Sequence, residues 1–192
     1  MSEAKQEPVT RHVFLDLETT GLDPDTDHIL ELAFIVTDDA FNELGRFESV
    51  VVPPQLDLLK MRSVVYDMHT RSGLVDQIVK AGGFPDGLAR TAKNVEGRAL
   101  RVLWDIVEGM DHKRLILSGN TVHFDRSFLE TRMPALEACF YHGHADVSAC
   151  RRVLGAKALV PVDQVAHRAL ADCEMSLAEA RALRAAFAKA AT

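Results

Sequence analysis

The sequence predicts a mixed α/β sandwich with five strands. Three apolar segments with short connections come first, at His12–Glu18, His28–Thr37 and Glu43–Val52, and they favour an antiparallel meander. Helical periodicity follows, and two short apolar segments among the later helices, Arg114–Leu117 and Ala145–Val147, predict the remaining strands. Strands that first follow one another and then alternate with helices indicate a sheet covered by helices.

Apolar spacing and capping residues predict the helices. Ser72 is placed to cap a helix over Ser72–Ala81, and Asn94 is placed to cap one whose apolar positions run over Val95–Val107. Ala169–Ala190 is rich in Ala and Leu without Gly or Pro, which favours a long closing helix. Two further helices are predicted between the last two strands, at Phe124–Arg132 and Pro134–Phe140.

Length and composition predict one domain over residues 11–190, after a frayed or disordered polar tail over residues 1–10. Apolar residues make up 47% of the 192 residues, which is typical of a soluble globular protein. No segment reaches the roughly 20 uninterrupted apolar residues that a membrane span needs. Cys139, Cys150 and Cys173 lack the spacing of a disulfide framework or a zinc site, so a reducing cytoplasm is the expected location.

The formal net charge of −6 argues against tight binding of long duplexes, because such binders normally carry a basic surface. Two divalent cations bound by acidic residues would bring the total to −2. The charge balance therefore permits a nuclease that acts on short pieces with the help of metal ions.

A pair of carboxylates closes the first predicted strand. Asp16 and Glu18 are two residues apart, so both would project from the strand face that Phe14 also occupies. Neighbouring acids repel each other unless a cation or a proton lies between them. A solvated strand end is the alternative, although the turn over residues 19–22 favours an end held open to a ligand.

Two further acids and a histidine occur near predicted helix starts. Asp125 follows a Gly-Asn turn, where the helix dipole alone could account for an acid. His167 and Asp172 are five residues apart, which is about 140° of rotation on a helix. They converge only if His167 lies in the loop before the helix, and otherwise both decorate the surface.

The Asp16 and Glu18 pair, Asp125, and the His167 and Asp172 pair follow one another along the chain. In this order they resemble the motifs of the DEDDh 3′–5′ exonuclease superfamily. Within it, the five-residue step from Asn120 to Asp125 is similar to that of oligoribonucleases. The segments His69–Val75 (HTRSGLV) and Met133–Ser148 are similar to oligoribonuclease segments too. The resemblance covers most of residues 12–180. The motifs themselves are Asp16–Leu22 (DLETTGL), Gly119–Leu129 (GNTVHFDRSFL) and His167–Asp172 (HRALAD).

The resemblance implies a ribonuclease H-like fold with a mixed five-stranded sheet, three antiparallel strands and then parallel ones, flanked by helices. It also implies two divalent cations, Mg²⁺ or Mn²⁺, held by Asp16, Glu18, Asp125 and Asp172, which are hard oxygen ligands. His167 would accept the proton of the attacking water. The expected reaction releases nucleoside 5′-monophosphates from the 3′ end of short RNA.

Substrate contacts and a homodimer are implied in the same way. Leu22 would wedge between bases, while His69, Thr121 and Ser148 would contact phosphate. Taken from the residues alone, His69 is equally well explained as a turn residue before the predicted helix that starts at Ser72.

Three positions depart from the oligoribonuclease pattern. Val64 and Gly143 stand where these enzymes usually carry Trp and Arg, and Thr19 stands where they often carry Met. The missing Trp would have stacked on a base, and the missing Arg would have bound a phosphate. Without them, substrate length and sugar preference stay open. The nearest alternative is a broader DEDDh exonuclease acting on single-stranded DNA or longer RNA. A non-catalytic nucleic-acid-binding module is a further alternative, which retention of all five site residues disfavours.

Overall fold

A five-stranded sheet forms the centre of the computed structural model, which describes residues 9–54, 56–82, 89–108, 114–155 and 167–190. The strand order is β3-β2-β1-β4-β5. β1 pairs with β2 and β2 pairs with β3 in antiparallel fashion, whereas β4 is parallel to both β1 and β5. This arrangement confirms the predicted mixed sheet. The strands are β1 (Arg11–Thr19), β2 (Ile29–Thr37), β3 (Glu43–Val50), β4 (Leu115–Gly119) and β5 (His144–Asp146).

Seven α-helices and one 3₁₀ turn are seen in the described part of the chain. The closing helix occupies Ala169–Ala190, as its composition predicted. None of the helices found there is both long enough and apolar enough to cross a bilayer. The helices are α1 (Ser63–Arg71), α2 (Leu74–Ala81), α3 (Ala92–Val107), α4 (Val122–Arg132), α5 (Pro134–Glu137), α6 (Val147–Leu154) and α7 (Ala169–Ala190), and the 3₁₀ turn is Leu58–Lys60.

Helices cover both faces of the sheet, and side-chain alternation along β1 assigns each residue to one face. Val13, Leu15 and Leu17 pack with α3 and α4 in the larger core. Phe14 packs on the other face with residues of α7. Because side chains alternate along a strand, Asp16 lies on the α7 side with Phe14. β2 is buried along its whole length, which follows from having helices on both sides.

The region between β3 and α3 differs from the prediction. Ser72 does not cap a helix start: it follows α1, where its N–H donates to the carbonyl of Met68. Gly73, at a φ of 76°, then separates α1 from α2. Only His69 of α1 is buried. A helix that buries one histidine has no apolar stripe, so periodicity could not reveal it.

Two other helix boundaries also differ. Thr91, not Asn94, caps α3, because the Thr91 hydroxyl accepts the N–H of Asn94 at 3.4 Å. The helix predicted over Pro134–Phe140 ends at Glu137. Most of the predicted frayed tail lies outside the described residues, which begin at residue 9.

Candidate active site

All five predicted site residues line one cleft of about 220 Å³. β1 and β4 are parallel, so their carboxyl ends meet at the same edge of the sheet, where ligands of open α/β sheets bind. Asp16 and Glu18 come from the end of β1, and Asp125 comes from the first turn of α4. Asp172 lies in the first turn of α7.

Three of the four carboxylates lie close enough to one another to share a cation, and Asp125 is not in that set. Oxygen atoms of Asp16, Glu18 and Asp172 all lie within 4.8 Å of one another. Asp125 Oδ1 accepts the N–H of Leu17 at 3.0 Å, which ties the start of α4 to β1. Asp172 Oδ1 is buried and has no hydrogen-bond partner among the described residues. A buried carboxylate oxygen without a donor suits a metal ligand.

Burial and the charges of neighbouring acids raise the pKa of these carboxyl groups when no cation is present. Burial, followed by the charges of Asp172 and Glu31, raises the pKa of Glu18 to about 8. Burial also raises the pKa of Asp125 to about 8, although the Leu17 N–H favours its charged form. Burial and repulsion from Asp125 raise the pKa of Asp16 well above its ordinary value. A divalent cation would displace protons from these groups.

The thermal stability of the metal-free protein is therefore expected to fall as pH rises from about 7 to about 8, as the last part of a fall that begins near the ordinary carboxyl pKa values. Glu18 and Asp125 have ordinary pKa values of 4.5 and 3.8 and folded values of about 8. Between the ordinary and the folded values the folded state binds more protons than the unfolded state, so stability falls as pH rises toward 8 and levels off above it. Burial lowers the pKa of His12, His28 and His69 below the ordinary value of 6.5, so the opposing contribution of these histidines is almost complete at pH 7.

Melting temperatures in EDTA and in saturating Mn²⁺ measure this effect. The increment in melting temperature that Mn²⁺ gives should be larger at the alkaline end of the window. A metal-free melting temperature that rises with pH across it would contradict the raised pKa values.

His167 lines the cleft although it is not part of helix α7. It lies two residues before the start of α7 and has a φ of 45°. Burial raises the pKa of Asp172, the nearby His167 opposes that rise, and both residues line the cleft. Convergence across five residues is possible because His167 is not helical, as the sequence required.

The predicted substrate contacts lie in different environments. Leu22 is 72% exposed and lines a small cavity of about 170 Å³ next to Leu17, Glu18 and Phe124. Thr121 lines the cleft itself. The Thr121 hydroxyl is 3.4 Å from that of Ser148, which is buried and donates to Asp146.

His69 is fully buried in α1 and is not a turn residue. Its Nε2 donates to the carbonyl of Thr19 at 2.9 Å, while Nδ1 is 3.7 Å from Glu18 Oε2. These contacts hold the end of β1. Contact of His69 or Ser148 with a phosphate would require the surrounding residues to move, so both roles remain predictions.

Two residues that sequence reasoning missed also belong to this region. Asn120 lines the cleft and donates from Nδ2 to the hydroxyl of Ser176 at 2.9 Å. Glu31 faces Glu18 in the β1–β2 register and is fully buried. An acid inside the apolar segment Ile29–Thr37 was the available signal for Glu31.

Comparison with known proteins identifies the family. The family model described as Exonuclease matches residues 13–180. The oligoribonuclease of Chromobacterium violaceum is 34% identical over 182 residues, which cover 92% of this chain and 95% of that protein. The oligoribonuclease of Streptomyces avermitilis is 36% identical over 183 residues, covering 92% and 86% of the two chains. This chain belongs to the oligoribonuclease family of exonucleases.

A solved structure with the same fold is the zinc-bound exonuclease I of E. coli in complex with single-stranded DNA. Its TM-score is 0.65 at 17% identity, with 92% of this chain covered. The chain spans 40% of the length of that exonuclease I chain. At this identity the likeness shows the shared fold.

Val64 and Gly143, where the family resemblance leads us to expect Trp and Arg, lie in different settings. Val64 is 62% exposed on α1, so the position has room for a larger ring. A Cβ atom on Gly143 would lie 3.0 Å from the ring of Tyr141. A side chain at position 143 would therefore press on that ring.

Proposed function

We propose that this chain is a metal-dependent 3′–5′ exoribonuclease that hydrolyses short RNA to nucleoside 5′-monophosphates. The observation that carries the proposal is the convergence of four carboxylates and one histidine in a single cleft. Family membership supports the same chemistry, because the relatives are oligoribonucleases.

The donor set fits hard divalent cations. Asp16, Glu18, Asp125 and Asp172 would hold Mg²⁺ or Mn²⁺, because these ions prefer carboxylate oxygens. When bound, two such ions help to deprotonate the attacking water and neutralise charge on the leaving oxygen. Two features support this assignment: Asp172 Oδ1 has no hydrogen-bond partner in the part of the chain that the structure describes, and the neighbouring acids have raised pKa values.

The residues of the chain supply orientation and proton transfer. His167, which lines the cleft just before α7, takes the proton of the attacking water onto its imidazole. Leu22 is exposed beside the cleft and would separate two bases of the substrate. Thr121, which lines the cleft, would position a phosphate.

The assembly and the location are proposals too. A homodimer is proposed from the family resemblance, and elution as a monomer at micromolar concentration would count against it. A cytoplasmic location is supported by three free cysteines, which suit a reducing compartment.

A substrate series in Mn²⁺, with an EDTA control, tests the proposed function. Initial rates are measured on an RNA dinucleotide, an RNA pentamer and a DNA 20-mer. We expect the two short RNAs to be cleaved faster than the DNA, and EDTA to abolish all cleavage. A flat or DNA-favouring profile would support the broader exonuclease, and the absence of any metal-dependent cleavage would support a binding module.

A substitution at Val64, the exposed position on α1, extends this substrate series. Val64→Trp should lower the KM for the dinucleotide about tenfold, because stacking of a base on an aromatic ring contributes about 1–3 kcal/mol. Val79→Trp is the matched control, since Val79 is 61% exposed on α2, which does not border the cavity that Leu22 and α1 line.

A further inference from the structure

The residue that follows His167 forms an ion pair with strand β2. Arg168 donates from Nη2 to Glu31 Oε1 at 2.6 Å and from Nε to Glu31 Oε2 at 3.1 Å. Glu31 Oε2 also accepts the N–H of Ala169, the first residue of α7, at 2.9 Å. One fully buried carboxylate therefore holds both residues that follow His167.

We propose that Glu31 and Arg168 are positioning residues that fix the imidazole of His167 in the cleft; this rests on the proposed function. His167 has a φ of 45°, in the left-handed region that residues other than glycine rarely adopt. Such a conformation persists where neighbouring contacts hold it in place. The Glu31 contacts to Arg168 and Ala169 supply that hold from the C-terminal side.

Glu31 acts through this contact and not as a ligand of the cleft. It faces Glu18 across the β1–β2 pair, but both of its oxygens accept hydrogen bonds from Arg168, and one also accepts the N–H of Ala169. Arg168 supplies the positive charge that a buried carboxylate requires, so removing either partner would leave the other uncompensated.

The guanidinium of Arg168 joins three elements. Besides Glu31 on β2, its Nη2 donates to Gln77 Oε1 of α2 at 2.8 Å, and the same nitrogen lies 3.5 Å from Glu48 of β3. The guanidinium can make these contacts at once because its N–H donors form a planar fork. The ammonium group of a lysine cannot reproduce this geometry. Arg168→Lys should therefore keep the charge but hold His167 less firmly.

The test compares Glu31→Gln in two backgrounds, the wild type and His167→Ala. In the wild-type background we expect kcat to fall by about 10–100-fold with KM unchanged. In the His167→Ala background the same substitution should cause no further fall, because residues that act as one unit are not additive. Arg168→Lys should show a smaller fall in kcat with the same dependence on His167.

Glu179→Gln is the matched control. Glu179 is a second buried acid, located on α7 and paired with Arg151 at 2.6 Å, and it does not line the cleft. Its replacement should leave kcat unchanged. The ¹³C–¹H signals of the His167 ring in metal-free protein, assigned by their loss in His167→Ala, should shift or broaden in Glu31→Gln and not in Glu179→Gln.

The outcomes separate this inference from the proposed function. An equal fall of kcat in both backgrounds, or unchanged His167 signals in Glu31→Gln, would overturn the positioning role alone. A wild type without metal-dependent hydrolysis would overturn the proposed function, while the ring signals would still show whether Glu31 holds His167. If circular dichroism shows that Glu31→Gln does not fold, Arg168→Lys replaces it in the same comparison.

Discussion

Replacing Asp16 with asparagine is expected to lower the rate of metal-dependent RNA hydrolysis by about 10³-fold or more. A bound metal ion contributes several kcal/mol of charge stabilisation to the transition state, and each 1.36 kcal/mol or so corresponds to tenfold in rate. Asp16 lies with Glu18 and Asp172 in the set of oxygens within 4.8 Å of one another. Loss of the Asp16 charge should therefore weaken the cation site.

The same substitution is expected to raise the melting temperature in EDTA. Burial and repulsion from Asp125 and Glu18 raise the pKa of Asp16, which means that a carboxylate at this position destabilises the metal-free fold. A neutral amide of the same size removes the repulsion. Function and stability should therefore change in opposite directions, as expected where a site is kept strained for activity.

Asp105→Asn is the control for both measurements, because Asp105 is an exposed acid on α3. Initial rates on an RNA pentamer and melting curves in EDTA provide the data. A near-normal rate in Asp16→Asn, or a lower melting temperature in EDTA, would contradict the role given to Asp16.

Replacing His167 with alanine is expected to lower kcat by about 10²–10⁴-fold, the usual contribution of general acid–base catalysis. Binding of Mn²⁺, measured by calorimetry, should survive because the carboxylates are unchanged. His123→Ala is the matched control, since His123 is exposed on α4 and does not line the cleft.

A His167→Ala variant with the kcat of the wild type would show that another group accepts the proton. Lost Mn²⁺ binding in a folded variant would instead show that His167 helps to form the metal site. Only a fall in kcat with retained binding agrees with a general base.

Local patterns in the sequence were sufficient to locate the strands of the sheet, whereas the residues of the cleft were predicted as one set only by the family resemblance. Each strand is an apolar run bounded by turns, and the two-residue spacing of Asp16 and Glu18 puts both carboxylates on one face of β1. The structure brings His167 and Asp172 together as required, since α7 begins at Ala169.

Features that depend on contacts distant in the chain were not accessible. α1 buries only His69, so it carries no apolar stripe, and the partner that holds His69 is the carbonyl of Thr19, fifty residues earlier. Glu31 and Arg168 are 137 residues apart. No local pattern links two residues at that separation.

Anomalous diffraction from crystals grown with MnCl₂ tests most directly whether the acids form a metal site. We predict manganese peaks in the cleft, coordinated by oxygens of Asp16, Glu18, Asp125 and Asp172. An empty cleft at saturating Mn²⁺, or manganese bound elsewhere while RNA is still hydrolysed, would contradict this account.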